Sequence, residues 1–193
     1  MKCTILSVLG LLIVATSIFA QISPTPVINN EIRDGSSIRR RSMELERVKR
    51  EAAQTFPQES NEEATIRFAK VKDDYEHIQK LQAEIIKTYT TGKEINYSKI
   101  SSSADEMNRK SIRLEANLFN IKAVTNKNGD KKKSLSVRDL IIELDKVLGN
   151  FVDSPIFKSN KLIEQNDVEE SQTQLEKIIK LSETLSQEAK KFK

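Results

Sequence analysis

From Ser60 to Gly92 the apolar residues Ala64, Phe68, Val71, Tyr75, Ile78, Ile85 and Tyr89 recur every three or four positions. That spacing is the stripe of an amphipathic helix. Gln82 alone interrupts it, while Asp73, Asp74, Glu76, Lys80, Glu84 and Lys87 fall off it. One side of a long helix is therefore predicted to be apolar and the remainder solvated. Such a helix is stable only against partners, because most helical stability comes from burying the apolar face.

The chain supplies those partners with the same period. Tyr97, Ile100, Ala104, Met107, Leu114, Leu118 and Ile121 form a second stripe, with Ser111 at its one polar position. A connection of about five residues between two long helices makes them antiparallel neighbours. Val137, Leu140, Ile141, Leu144, Val147 and Leu148 give the widest apolar face, so this shorter helix is predicted to be the most buried. Ser136, three residues before Asp139, caps its start in the manner of a capping box. Gly149 and Asn150 punctuate its end, and Phe151, Ile156 and Phe157 around Pro155 are placed as a plug for the end of the bundle. A last helix from about Gln165 to Lys191 carries Val168, Leu175, Ile178, Leu185, Ala189 and Phe192. Small stripe residues, Ala104, Ser111, Ser182 and Ala189, are expected to let helices approach closely. The predicted fold is all-α: an antiparallel helical bundle of four principal helices plus an N-terminal charged helix.

Residues 1–20 read as a leader outside this fold. Lys2 precedes an apolar run from Ile5 to Ala15, followed by Thr16, Ser17 and Ala20, the order of a secretory signal peptide. The run is short for a membrane span, which needs about 20 apolar residues. Residues 21–35, with Pro24, Pro26 and Asp34-Gly35, are read as a flexible tether. Residues 36–193 then form one domain, since the roughly 170 residues left after cleavage suffice for a single core. The expected location is periplasmic or secreted.

Cys3 lies ahead of the apolar run and is the sole cysteine, so the mature chain has neither a disulfide nor a thiolate metal site or nucleophile. Of the 32 basic side chains Lys2 leaves with the leader, so 31 face 28 acidic ones. That mixed surface, on an exported chain, argues against nucleic acid as a partner.

The N-terminal helix, predicted from Ile38 to Thr55 and ended by Pro57, is apolar only at Ile38, Leu45, Val48 and Ala52. It is expected to dock at the bundle edge and to add little to the fold. Its basic residues Arg39, Arg40, Arg41, Arg47, Lys49 and Arg50 are the candidate binding surface, for a protein, an envelope component or an anionic membrane. Glu44 and Glu46 interrupt it, and a solvated helix face is the plainer reading.

Catalytic constellations are not supported. His77 is the one histidine; with Asp74 it has the i, i+3 spacing of bundle metal ligands, but a di-iron site needs two such pairs. Two residues past Tyr75, it is predicted to face solvent. Gly92-Lys93 lacks the glycine, the hydroxyl residue and the preceding strand of a phosphate loop. No serine lies in a nucleophile-elbow turn. Asn96-Tyr97-Ser98 is a glycan acceptor sequon in a predicted turn, significant only in a eukaryotic host. The expectation is an exported, non-catalytic interaction or envelope-associated protein without cofactor. The runner-up is a periplasmic small-ligand or metal-binding bundle, with an interior pocket lined by Tyr75, Gln82, Tyr89 and Ser111.

Overall fold

Five α-helices follow one another among the described residues: α1 (Gly35–Thr55), α2 (Asn61–Thr90), α3 (Tyr97–Phe119), α4 (Val137–Val152) and α5 (Gln165–Lys190), with a 3-10 turn at Pro155–Phe157 before α5. No strand occurs among the described residues, so the chain is an all-helical bundle. The computed structural model describes residues 35–55, 61–91, 94–119, 135–158 and 163–192. The leader, the tether up to residue 34, Pro57, Ser60, Gly92, Ile121 and the loop 126–133 lie outside the described residues.

Cross-helix contacts fix the directions. Glu84 meets Lys99 at 2.9 Å and Asp73 meets Lys110 at 3.0 Å, so α2 and α3 are antiparallel. Ser101 with Ser186 (3.2 Å) and the Asn108 amide donating to the Ile179 carbonyl (2.8 Å) make α3 and α5 antiparallel. Tyr75 to the Val152 carbonyl (3.3 Å) and Gln82 to Asp145 (3.5 Å) do the same for α2 and α4. It follows that α4 is antiparallel to α5 as well. Going round the bundle, the order is α2, α3, α5, α4, with α3 and α4 pointing the same way across the diagonal.

The apolar stripes form the core as their spacing requires. Tyr75, Ile78, Ile85, Ile100, Met107, Leu114, Leu140, Leu144, Leu175, Ile178 and Leu185 are all buried in one cluster. In α4, ten of sixteen residues are buried, in keeping with its wide apolar face. The Asp139 N–H donates to Ser136 Oγ at 3.2 Å and the Ser136 hydroxyl to Asp139 Oδ2 at 2.7 Å, which completes the cap. Past Gly149 the helix runs one turn further, to Val152, and Phe151, Phe157 and Tyr75 close the end of the bundle with ring centroids 4.8 to 6.4 Å apart.

One expectation fails. Asp74 was assigned to the wet side of α2, yet it is fully buried, as is Gln79, and Leu81 is nearly so. Helix α2 has three neighbours, α1, α3 and α4, which leaves it a narrow exposed face. Helix α1 docks at the edge of the bundle, on α2 and the 3-10 turn. It begins at Gly35, buries Ile38 and places Leu45 in the main core cluster against α2.

Candidate functional site

The six basic residues of α1 separate into an inner and an outer set. Ile38, Arg41 and Leu45 are spaced by three and four residues, so Arg41 shares the buried face. Its side chain is only 12% exposed; it donates to Gln79 Oε1 at 3.5 Å and to Ser37 Oγ at 3.4 Å, and lies 3.8 Å from the Asp153 carboxylate. Arg41 thereby ties α1 to α2 and to the end of α4. Lys49 also turns inward, its ammonium 4.6 Å from the Phe68 ring centroid, a cation–π contact.

Arg39, Met43, Arg47 and Arg50 recur every three or four residues on the opposite face, with Arg40 beside them. Met43 is 56% exposed in the middle of this stripe. Glu44 and Glu51 both pair with Arg47, at 3.4 and 3.6 Å. Glu46 reaches away to Lys72 of α2, and that hydrogen bond holds its carboxyl below the usual range. Among the described residues no ion pair involves Arg39, Arg40 or Arg50. Arg47 thus engages two acids on the stripe itself, Glu46 turns to Lys72 with Arg50 adding to its field, and Arg39, Arg40 and Arg50 remain on one solvated face outside any ion pair among the described residues.

The other polar groups are structural. Asp74 is buried beneath Arg113, whose Nε donates to Asp74 Oδ2 at 2.6 Å while a second nitrogen contacts Oδ1, and Lys110 stands 3.4 Å from the same carboxylate. His77 is half-exposed and its Nε2 lies 3.2 Å from Glu106. Asp74 and His77 therefore turn to different partners. No group of three His, Cys, Asp or Glu residues suited to a metal exists among the described residues. Burial pushes the Tyr75 phenol above its ordinary range, as its hydroxyl donates to the Val152 carbonyl. Such a phenol stays protonated and braces α2 against α4.

Sequence reasoning missed a groove of about 560 Å³ on the outer face between α4 and α5, lined by Leu135, Asp139, Ile142, Glu143, Val147, Lys177, Lys180 and Leu181. None of Tyr75, Gln82, Tyr89 and Ser111 lines it. Its signal was present but divided: the residues lie in two segments whose adjacency appears only once the helix order is known. Asn96 of the sequon is exposed and its side-chain oxygen accepts from the Lys99 N–H at 2.9 Å, capping α3. No family model, curated protein or solved structure matches the chain.

Proposed function

We propose that this is an exported, non-catalytic interaction protein of the cell envelope or its surroundings, which engages an acidic protein or envelope component through the outer stripe of α1. The observation behind this reading is that Arg39, Arg40 and Arg50 share one exposed face without an ion pair among the described residues, while the neighbouring acids are engaged by Arg47 and Lys72. Anchoring of α1 through Ile38, Arg41 and Leu45 presents that face on a rigid support. Rigidity lowers the ordering cost of binding.

Magnitudes favour a protein partner over a bilayer. Each arginine near an anionic membrane contributes about 1 kcal/mol, so three contribute about 3 kcal/mol. That is less than a single myristoyl chain supplies, which by itself gives only marginal and reversible attachment. The apolar side of α1 is occupied by the bundle and adds nothing beyond Met43.

The test is a pull-down from envelope extract with the wild-type chain and with the Arg39→Glu, Arg40→Glu, Arg50→Glu variant, both checked by circular dichroism. The wild type should retain a salt-sensitive partner that the variant loses. Retention by both, with equal recovery, would remove α1 from the binding surface. Flotation with anionic liposomes, in place of any protein capture, would transfer the assignment to a membrane.

A further inference from the structure

The groove between α4 and α5 differs from the rest of the surface in how its charges are arranged. Its floor is apolar, made by Leu135, Ile142, Val147 and Leu181, and Leu135 is 37% exposed. Its α4 wall carries Asp139 and Glu143, and its α5 wall carries Lys177 and Lys180. Among the described residues no ion pair closes between these walls. Helix α1 packs chiefly on α2 and the 3-10 turn, and none of its residues lines this groove.

An occupant of this groove has to present both signs of charge. A polyanion or an anionic bilayer meets Asp139 and Glu143, and a purely cationic segment meets Lys177 and Lys180; each loses on one wall what it gains on the other. A second copy of the chain presents both. When two copies meet through a two-fold axis lying in the plane of this face, so that α4 of one crosses α5 of the other, each acidic wall faces a basic wall twice over. This is the self-complementarity that an isologous contact needs. The floor residues of both copies are then shielded together. We propose that the α4/α5 groove is a homodimer interface, joined by Asp139 and Glu143 of each copy with Lys177 and Lys180 of the other around Ile142 and Leu135.

The small exposure of the floor implies a weak, concentration-dependent dimer. Sedimentation velocity on the purified chain, as its expression host processes it, should show the weight-average mass rising from monomer toward dimer with concentration. The D139K/E143K and K177E/K180E variants should each associate at least tenfold more weakly. An equimolar mixture of the two should recover association, because each altered wall then meets its opposite in the other variant. Circular dichroism verifies that both variants are folded. Should a double variant fail that check, Glu143→Cys mixed with Lys180→Cys gives a separate readout, since the chain has no cysteine after Cys3. Under mild oxidation that mixture should form linked dimers faster than either variant with a Met43→Cys partner. A chain that stays monomeric at all concentrations, or a dimer unchanged by the charge swaps, overturns the proposal, as does linkage no faster than in the Met43→Cys control.

Discussion

Helix α3 is held by two seams of opposite construction. Toward α2 it is laced by charge: Lys99 to Glu84, Glu106 to His77, and Lys110 and Arg113 to Asp73 and Asp74. Toward α5 it presents mainly small residues, with Ser101, Ala104 and Ser111 buried on one side and Ser182, Ser186 and Ala189 on the other, and charge enters only at the rim, where Asp105 meets Lys190 at 3.0 Å. Ser182 donates to the Ile178 carbonyl at 2.8 Å and Ser101 meets Ser186 at 3.2 Å, whereas Ser111 Oγ is buried without a hydrogen-bond partner among the described residues. The first seam sets register through long, adaptable side chains at the rim. The second sets distance, because small side chains bring two backbones close and leave no slack. Contact between α3 and α5 is the most extensive helix pairing in the molecule, so the tight seam is also the larger one.

The seams should accordingly fail in different ways. In the α3/α5 seam the sensitive change is added volume. Ala104→Leu inserts three carbons at a fully buried position between closely approaching backbones. Overpacking of this sort costs about 1 to 3 kcal/mol, and the upper end is expected where two helices must part. Against a total stability of about 5 to 15 kcal/mol, the urea midpoint should fall visibly. A midpoint shift equivalent to less than about 0.5 kcal/mol would mean that the seam has room, and that its serines and alanines are not there to set distance.

In the α2/α3 seam the sensitive change is loss of a partner. Asp74 is 0% exposed, and Arg113→Ala removes its bidentate partner. Breaking a buried pair by deleting one member costs about 3 to 5 kcal/mol when the remaining charge is left alone. Here Lys110 stays 3.4 Å away and Arg113 is itself 49% exposed, so about 1 to 2 kcal/mol is the expected loss. Arg113→Lys should recover only part of it, lacking the planar fork. Lys99→Ala, which frees the half-exposed Glu84, should cost under about 0.5 kcal/mol. Equal losses for Arg113→Ala and Lys99→Ala would show that burial of Asp74 does not govern this seam.

Much of this contrast was written into the chain, but unevenly. Ala104, Ser111, Ser182 and Ala189 were legible because they fall on the apolar stripes, where period alone assigns them to the inside, while Ser101 and Ser186 beside the stripes were not. The cap at Ser136 was legible for a similar reason, being local in sequence, whereas Asn96 was read only as a sequon in a turn. Asp74 and Gln79 were not, since whether an off-stripe position is wet depends on how many helices surround α2. Arg41 is the instructive case. Its spacing from Ile38 and Leu45 puts it on the buried face, and only its membership of the run Arg39-Arg40-Arg41 concealed that. The groove was invisible for a different reason: Asp139 and Lys180 become opposing walls only when α4 lies beside α5, and that order is a property of packing.

Glu115 provides the smallest and most specific test, because it places an unpaired carboxylate in a seam where Asp105 with Lys190 is the sole cross-helix ion pair among the described residues. It lies on α3, half-buried, and burial first and the Glu176 carboxylate second raise its pKa above the ordinary glutamate value. A raised folded-state pKa means that the native chain binds this proton more tightly than the unfolded chain does. Stability therefore falls as pH rises from the unfolded value through the folded one, and at neutral pH the ionised carboxylate is a net cost. Asp73 in the other seam has the reverse sign. Its pKa is lowered chiefly by the hydrogen bond from Lys110, so its contribution is present at neutral pH and lost as pH falls through the folded value. Glu115→Gln removes the charge and keeps the shape, and should stabilise the protein at pH 7 by under about 1 kcal/mol, given the partial exposure of the site. At a pH below both pKa values, where Glu115 is already protonated, the gain should vanish. Urea denaturation at the two pH values measures the difference directly. Stabilisation of the same size at both, or destabilisation at pH 7, would show that the Glu115 carboxylate makes contacts across the seam that outweigh its burial.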